Sequence, residues 1–209
     1  TLKGDCGAYR GGITLAENLP NDDKLSLQIG GGRRNVYHRQ IRAVTDMVLD
    51  VHMMIDKPIR YVDAFCDAGA DYLTIHVEAD TNENTAEAIK KIKAHGVKPG
   101  ISVKPKTPAS AVLPFIKDVD LILVMTVEPG FGNQKFMADM MPKLAELRGM
   151  INQYNPDCHL EVDGGINLET GETCKKNGAD VLVSGSSFFK AEDKKSFVKQ
   201  IEGRLFTSF

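Results

Sequence analysis

The sequence predicts an α/β protein in which parallel strands alternate with helices. Two observations carry this prediction. First, apolar runs break off into glycine turns: Leu121–Thr126 runs into Pro129-Gly-Phe-Gly132, His159–Asp163 into Gly164-Gly165, and Val181–Ser184 into Gly185-Ser186. Glycine at the carboxyl end of a buried strand lets the following loop approach a ligand closely. Second, helix-like segments fill the intervals and stop at glycine, in Ala68-Gly-Ala-Asp71, His95-Gly-Val97 and Asn177-Gly-Ala-Asp180. Glycine there suits the left-handed residue that closes a helix. Strand-then-glycine junctions at this spacing describe the ligand-binding rim of a (β/α)8 TIM barrel. An open doubly wound sheet places its loops similarly and is the alternative.

From about residue 47 the alternation is regular. Met47–Met54 reads as a strand, 59–67 as a helix, Tyr72–Val77 as a strand and 84–94 as a helix rich in alanine and lysine. Lys98–Val103 is a strand, 108–116 a short helix with Pro108 near its first turn, and 120–127 a strand. Residues 137–152 give the longest helix, 159–162 and 180–183 strands, and 168–177 and 193–205 the last helices. This makes six βα units. No GxGxxG opens a helix after the first of these strands, which weighs against dinucleotide binding.

Residues 1–46 differ. They hold seven glycines and few apolar runs. Ile13–Ala16 and Leu25–Ile29 are candidate strands, and 35–44 a candidate helix with a thin apolar face. The first two βα units are therefore expected to be atypical, within a single domain spanning 1–209.

With 26 basic and 28 acidic residues the charge is nearly balanced, and no basic run suggests nucleic acid. No apolar run approaches the roughly 20 residues needed to span a membrane. The N-terminus lacks an apolar h-region, so no secretory signal is expected, and residue 1 is Thr, so a few upstream residues are expected. Cys6, Cys66, Cys158 and Cys174 are scattered without CxxC spacing, as expected of reduced thiols in a cytoplasmic protein.

Three groups of residues can carry chemistry. His52, near the end of a strand, can point into a barrel mouth as a metal ligand or substrate contact, or be a hydrogen-bonded core histidine. Asp163 ends a strand beside two glycines, where it is either an acid/base or metal ligand, or a cap of the next turn. The backbone amides of Gly130, Phe131, Gly132 and Asn133, of Gly164 and Gly165, and of Gly185 and Ser186 can meet a phosphate, or be only tight turns. Met53, Met54 and Met125 read as packing residues, or as a soft apolar wall over a planar intermediate. His76 and Glu78 alternate at the end of another strand and belong to the rim or its support, and Lys104, after a further strand, either meets an anion or is a solvated rim lysine.

Taken together, Leu49-Asp-Val-His-Met-Met54, Ala68-Gly-Ala-Asp71, Val124-Met-Thr-Val-Glu-Pro-Gly-Phe-Gly132, Gln134-Lys-Phe136, Glu161-Val-Asp-Gly-Gly165 and Val183-Ser-Gly-Ser186 resemble the ribulose-phosphate 3-epimerase family. The resemblance runs from about residue 41 to 205. It implies a (β/α)8 barrel that interconverts D-ribulose 5-phosphate and D-xylulose 5-phosphate through an enediolate. It also implies a divalent cation (zinc, iron(II), manganese or cobalt) and a cytoplasmic homo-oligomer acting on a small sugar phosphate. By the same resemblance His52 is a metal ligand and substrate contact, and Asp163 a metal ligand and one of two acid/base groups. Gly130–Asn133, Gly164-Gly165 and Gly185-Ser186 would hold the substrate and its phosphate. The family's second strand carries His-x-Asp, two further ligands of which the Asp is the second acid/base. No His-x-Asp precedes His52 here. By distance that Asp belongs near residues 18–23, where Asp22 and Asp23 sit in a turn-like Pro-Asn-Asp-Asp-Lys and do not take the role. Two other readings follow: a sugar-phosphate-binding barrel without turnover, and a hexulose-6-phosphate 3-epimerase. A related decarboxylase is disfavoured because no Asp-x-Lys-x-x-Asp occurs.

Overall fold

The computed structural model describes residues 11–16, 25–31, 39, 41–129 and 134–203. Eight strands close into a barrel in sequence order. They are β1 (Gly11–Ala16), β2 (Leu25–Gly31), β3 (Val48–Met53), β4 (Tyr72–His76), β5 (Lys98–Val103), β6 (Leu121–Met125), β7 (His159–Asp163) and β8 (Val181–Ser184). The strands β3 to β8 form the expected parallel arc, and β2 extends it in parallel against β3. The atypical start is now specific. Strand β1 runs antiparallel to both β2 and β8 and closes the ring in the opposite direction to every other strand.

The helices are α1 (Val62–Cys66), α2 (Asn82–Ala94), α3 (Met141–Tyr154), α4 (Leu168–Lys176), α5 (Ser186–Lys190) and α6 (Lys194–Gly203). Two expected helices are shorter than their sequence suggests. The segment 59–67 breaks at Tyr61 into a 3-10 turn, Pro58–Arg60, and α1. The segment 108–116 keeps only a 3-10 turn at Ala109–Val112. Pro114 has no N–H to donate and its ring would meet the carbonyl of Ser110, so a helix cannot continue there. The short α5 is an addition to the expected set.

Alternation along the strands divides the core in two. Val51, Met53, Leu73 and Ile75 face outward and pack with α1 and with Ala88 and Ile92 of α2. Ile101, Val103, Ile122, Val124, Leu160, Val162 and Leu182 do the same against Leu144, Leu147 and Ile151 of α3, Cys174 of α4 and Ile201 of α6. Each such aliphatic side chain contributes about 1.5–3 kcal/mol when fully buried. Leu121, Leu123 and Met125 face inward and pack with Tyr72 inside the barrel. Three cysteines, Cys66, Cys158 and Cys174, are buried as free thiols, and burial pushes each of them up to about 12.

At the floor of the barrel one clasp occurs twice. Arg42 donates to the Gly69 carbonyl at 3.0 and 3.1 Å and pairs with Asp71, whose carboxylate accepts the Leu49 N–H of β3 at 2.7 Å. Arg148 donates to the Gly178 carbonyl at 2.8 Å and to Asp180 at 2.9 Å, and Asp180 accepts the Leu160 N–H of β7 at 2.7 Å. Gly69 and Gly178 have φ of 97° and 102°. These are the two Gly-Ala-Asp stops of the sequence, so the motif closes a helix and also fastens the start of the preceding strand.

Candidate active site

Strands β3 and β7 face each other across the ring, with three strands between them in either direction. Their inward residues pair off in layers. Asp50 and His52 come from β3, and Glu161 and Asp163 from β7, and all four are buried. His52 and Asp163 occupy the upper layer at the ends of the strands, and Asp50 and Glu161 lie beneath them.

His52 meets His76, the last residue of β4, with Nε2 to Nε2 at 2.9 Å and the rings tilted by 35°. His76 Nδ1 lies 3.2 Å from Glu78 Oε2. The other Glu78 oxygen accepts the Lys104 N–H at 2.8 Å and the Thr107 hydroxyl. Burial works against the Glu78 charge, but the bonds from His76, Lys104 and Thr107 outweigh it and hold the carboxyl down at about 2.

Below, the Asp50 and Glu161 carboxyls lie against each other, short of a well-formed hydrogen bond, and no other described group reaches their oxygens. Burial raises Asp50 to about 6, opposed by Glu161 and aided by the Asp163 charge. Burial, and then the charge of Asp50, raises Glu161 well above the usual carboxylate range. A proton shared between the two carboxyls avoids two adjacent buried charges. Thr74 and Ser102 are also buried. A side chain on Gly100 would come within 2.1 Å of the Thr74 hydroxyl, so β5 is cut back to leave room for it.

The glycine turn after β7 is locked to the loop after β6. Gly164 and Gly165 have φ of 134° and 66°, which favours glycine at both. A Cβ on Gly164 would lie 2.7 Å from Val127, and one on Gly165 would lie 2.9 Å from the Phe136 nitrogen. Thr126 donates its hydroxyl to the Gly164 carbonyl at 2.7 Å and its N–H to the Asp163 carbonyl at 2.9 Å. Gln134 Nε2 donates to the Glu128 carbonyl at 2.5 Å and Met137 N–H to the Thr126 carbonyl at 2.9 Å, which draws the two ends of that loop together. Gly130, Phe131, Gly132 and Asn133, at its tip, lie outside the described residues. Gly185 precedes α5, and Ser186 opens it with an exposed side chain. Met53 and Met125 are fully buried packing residues.

Of the residues expected to hold a divalent cation, His52 and Asp163 lie among the described residues. Strand β2 adds none: Gly30 pairs with His52 and Gln28 with Asp50 in the register. Among the described residues no group of three or more His, Cys, Asp or Glu side chains could hold a metal ion. The expected four-ligand set is therefore incomplete in this part of the chain.

Residues 33–189 match the family model described as the ribulose-phosphate 3 epimerase family. The chain belongs to the ribulose-phosphate 3-epimerase family. Curated relatives agree. The ribulose-phosphate 3-epimerase of Bacillus subtilis is 43% identical over 164 residues, covering 78% of this chain and 75% of that one. The enzyme of Eremothecium gossypii is 43% identical over 156 residues, covering 75% of this chain and 63% of that one. The relative named as the cytoplasmic isoform in Oryza sativa subsp. japonica is 41% identical over 172 residues, covering 79% and 73%. Solved structures support the fold. KGPDC from Streptococcus mutans, in a sugar-phosphate complex, matches with a TM-score of 0.69 at 12% identity, over 87% of this chain and 85% of that one. The 3-hexulose-6-phosphate synthase of Salmonella typhimurium matches with a TM-score of 0.59 at 19% identity, over 82% and 77%. The family match begins at residue 33, beyond β1 and β2, so the unusual strand direction falls in the part of the chain that the family pattern does not cover.

The structure brings His76 and Glu78 to His52, as rim and support. The Asp50–Glu161 pair escaped the sequence reading. Its signal was present: an acid stands two residues before both His52 and Asp163, on the same strand face.

Proposed function

We propose that the protein is a ribulose-phosphate 3-epimerase that interconverts D-ribulose 5-phosphate and D-xylulose 5-phosphate. The observation that carries this reading is the position of Asp163. It is an inward carboxylate at the end of β7, followed by a glycine pair and set across the barrel from His52. The C3 hydrogen of the substrate is acidic because it lies next to the C2 carbonyl. Asp163 removes it, or returns it, on one face of the enediolate. His52 contacts the reacting oxygens, and the amides of Gly130–Asn133, Gly164-Gly165 and Gly185-Ser186 hold the substrate and its phosphate. Inversion needs an acid on the opposite face, and residues 25–31 contain no carboxylate to provide it. Of the ligands for a zinc, iron(II), manganese or cobalt ion only His52 and Asp163 are assigned. The reading includes a cytoplasmic homo-oligomer, and the buried free thiols support a reducing compartment. Among the described residues no helix is long and apolar enough to cross a membrane.

The test is conversion of ribulose 5-phosphate by purified protein with each of the four metals and with chelator. Turnover is expected, with exchange of the C3 hydrogen in deuterium oxide. Asp163→Asn should lower kcat by about 10²–10⁴-fold. The lack of a carboxylate on β2 favours a second reading, a barrel that binds sugar phosphate without turnover. Calorimetric binding of ribulose 5-phosphate with no conversion under any metal condition selects it. Faster conversion of a hexulose 6-phosphate selects the hexulose enzyme.

A further inference from the structure

Glu78 lies just beyond β4, outside every site residue named for the reaction, and three groups converge on its carboxylate. One oxygen faces His76 Nδ1 at 3.2 Å; the other accepts the Lys104 N–H at 2.8 Å and the Thr107 hydroxyl. Lys143 of α3 grips the same segment from the other side, donating to the Lys104 and Pro105 carbonyls at 3.1 and 2.6 Å. A carboxylate only accepts hydrogen bonds, so His76 must donate from Nδ1. Neutral His76 then offers a lone pair at Nε2, and His52, 2.9 Å away, must carry its hydrogen on Nε2.

We propose that Glu78 is a positioning residue: it fixes the hydrogen on His76, through His76 the tautomer and orientation of His52, and at the same time ties the segment after β5 to the rim. The proposal rests on the epimerase reading for its kinetic consequence and on geometry alone for its tautomers. Glu78→Gln separates them. An amide has one acceptor oxygen, so either His76 or the pair Lys104 and Thr107 then faces an NH2 group that cannot accept.

Nitrogen-15 spectra of the imidazoles are expected to show Nδ1–H on His76 in the parent protein and a mixture of tautomers in Glu78→Gln. In the same variant kcat should fall about tenfold or more while KM changes less than about threefold, the pattern of a lost transition-state arrangement. Glu78→Asp, which keeps both acceptor oxygens, should recover part of the loss. Thr107→Val should leave the His76 tautomer as in the parent. A parent His76 with its hydrogen on Nε2 overturns the proposal. So does a Glu78→Gln variant with parental tautomers and parental kcat. If the parent protein turns over no substrate, the epimerase reading fails, and the imidazole spectra alone decide this one.

Discussion

Burial, and then the neighbouring Asp50 charge, push Glu161 well above the usual carboxylate range, and among the described residues no hydrogen-bond partner reaches its oxygens. Two substitutions separate the effect of that contact from simple burial. Glu161→Leu leaves the Asp50 carboxylate with no partner and should cost about 1–3 kcal/mol in urea unfolding at neutral pH. Glu161→Gln, whose amide can donate to Asp50, should cost clearly less. Glu78 behaves in the opposite sense. Its folded value of about 2 lies below the ordinary 4.5, so its stabilising contribution is complete above about pH 4.5. That contribution fades as the pH falls toward 2, since the unfolded chain takes up the proton first. Melting temperatures at pH 5 and pH 3 should therefore differ more in the parent than in Glu78→Gln. The upper layer of the site was legible in the sequence because His52 and Asp163 end apolar runs at glycine-rich junctions. The contact between His52 and His76 was not, since it joins neighbouring strands whose register no local pattern gives. The paired carboxyls beneath were hidden for a different reason. A charged residue within a strand reads as solvent-facing until the strand is known to be closed into a ring.

The helix–loop–strand junctions show how one short motif holds an element in place. Gly178 requires its positive φ, and a Cβ there would lie 2.6 Å from the Cβ of Arg148. Gly96 also has a positive φ, 73°, but nothing lies within 4 Å of a Cβ built on it. Gly96→Ala should thus cost only backbone strain, about 1 kcal/mol. Gly178→Ala should cost more, because Arg148 must release the Gly178 carbonyl and Asp180. Comparing the two denaturation midpoints measures the clasp. The elements themselves followed from apolar runs, glycine stops and alanine-rich helices, and the six strands from β3 to β8 came out in the right order. What local pattern missed was decided by single residues, such as Pro114, which ends the helix expected over 108–116, and Gly185, which lets a separate short helix start at Ser186.

The barrel as a whole depends on a strand that differs from the rest. Ile13 pairs with Leu27 of β2 on one side and Ser184 of β8 on the other, so among the described residues β1 is the junction between the first and last parallel strands. Ile13→Pro removes a ladder N–H in the middle of that junction. It should lower the melting temperature and speed amide exchange in β2 and β8 before it does so in β5. The sequence suggested two early strands but not their direction, because hydrophobic alternation reads the same forwards and backwards. Direction has a practical result. In an all-parallel barrel the first strand starts at the floor. Here Gly11 starts opposite Ile29, next to the Gly30 that pairs with His52, two strand spacings or about 10 Å from that wall. The start of β1 is thus held at the rim where the proposed substrate site opens. A bulky fusion at that end should raise KM for a sugar phosphate, and cutting it off should restore entry.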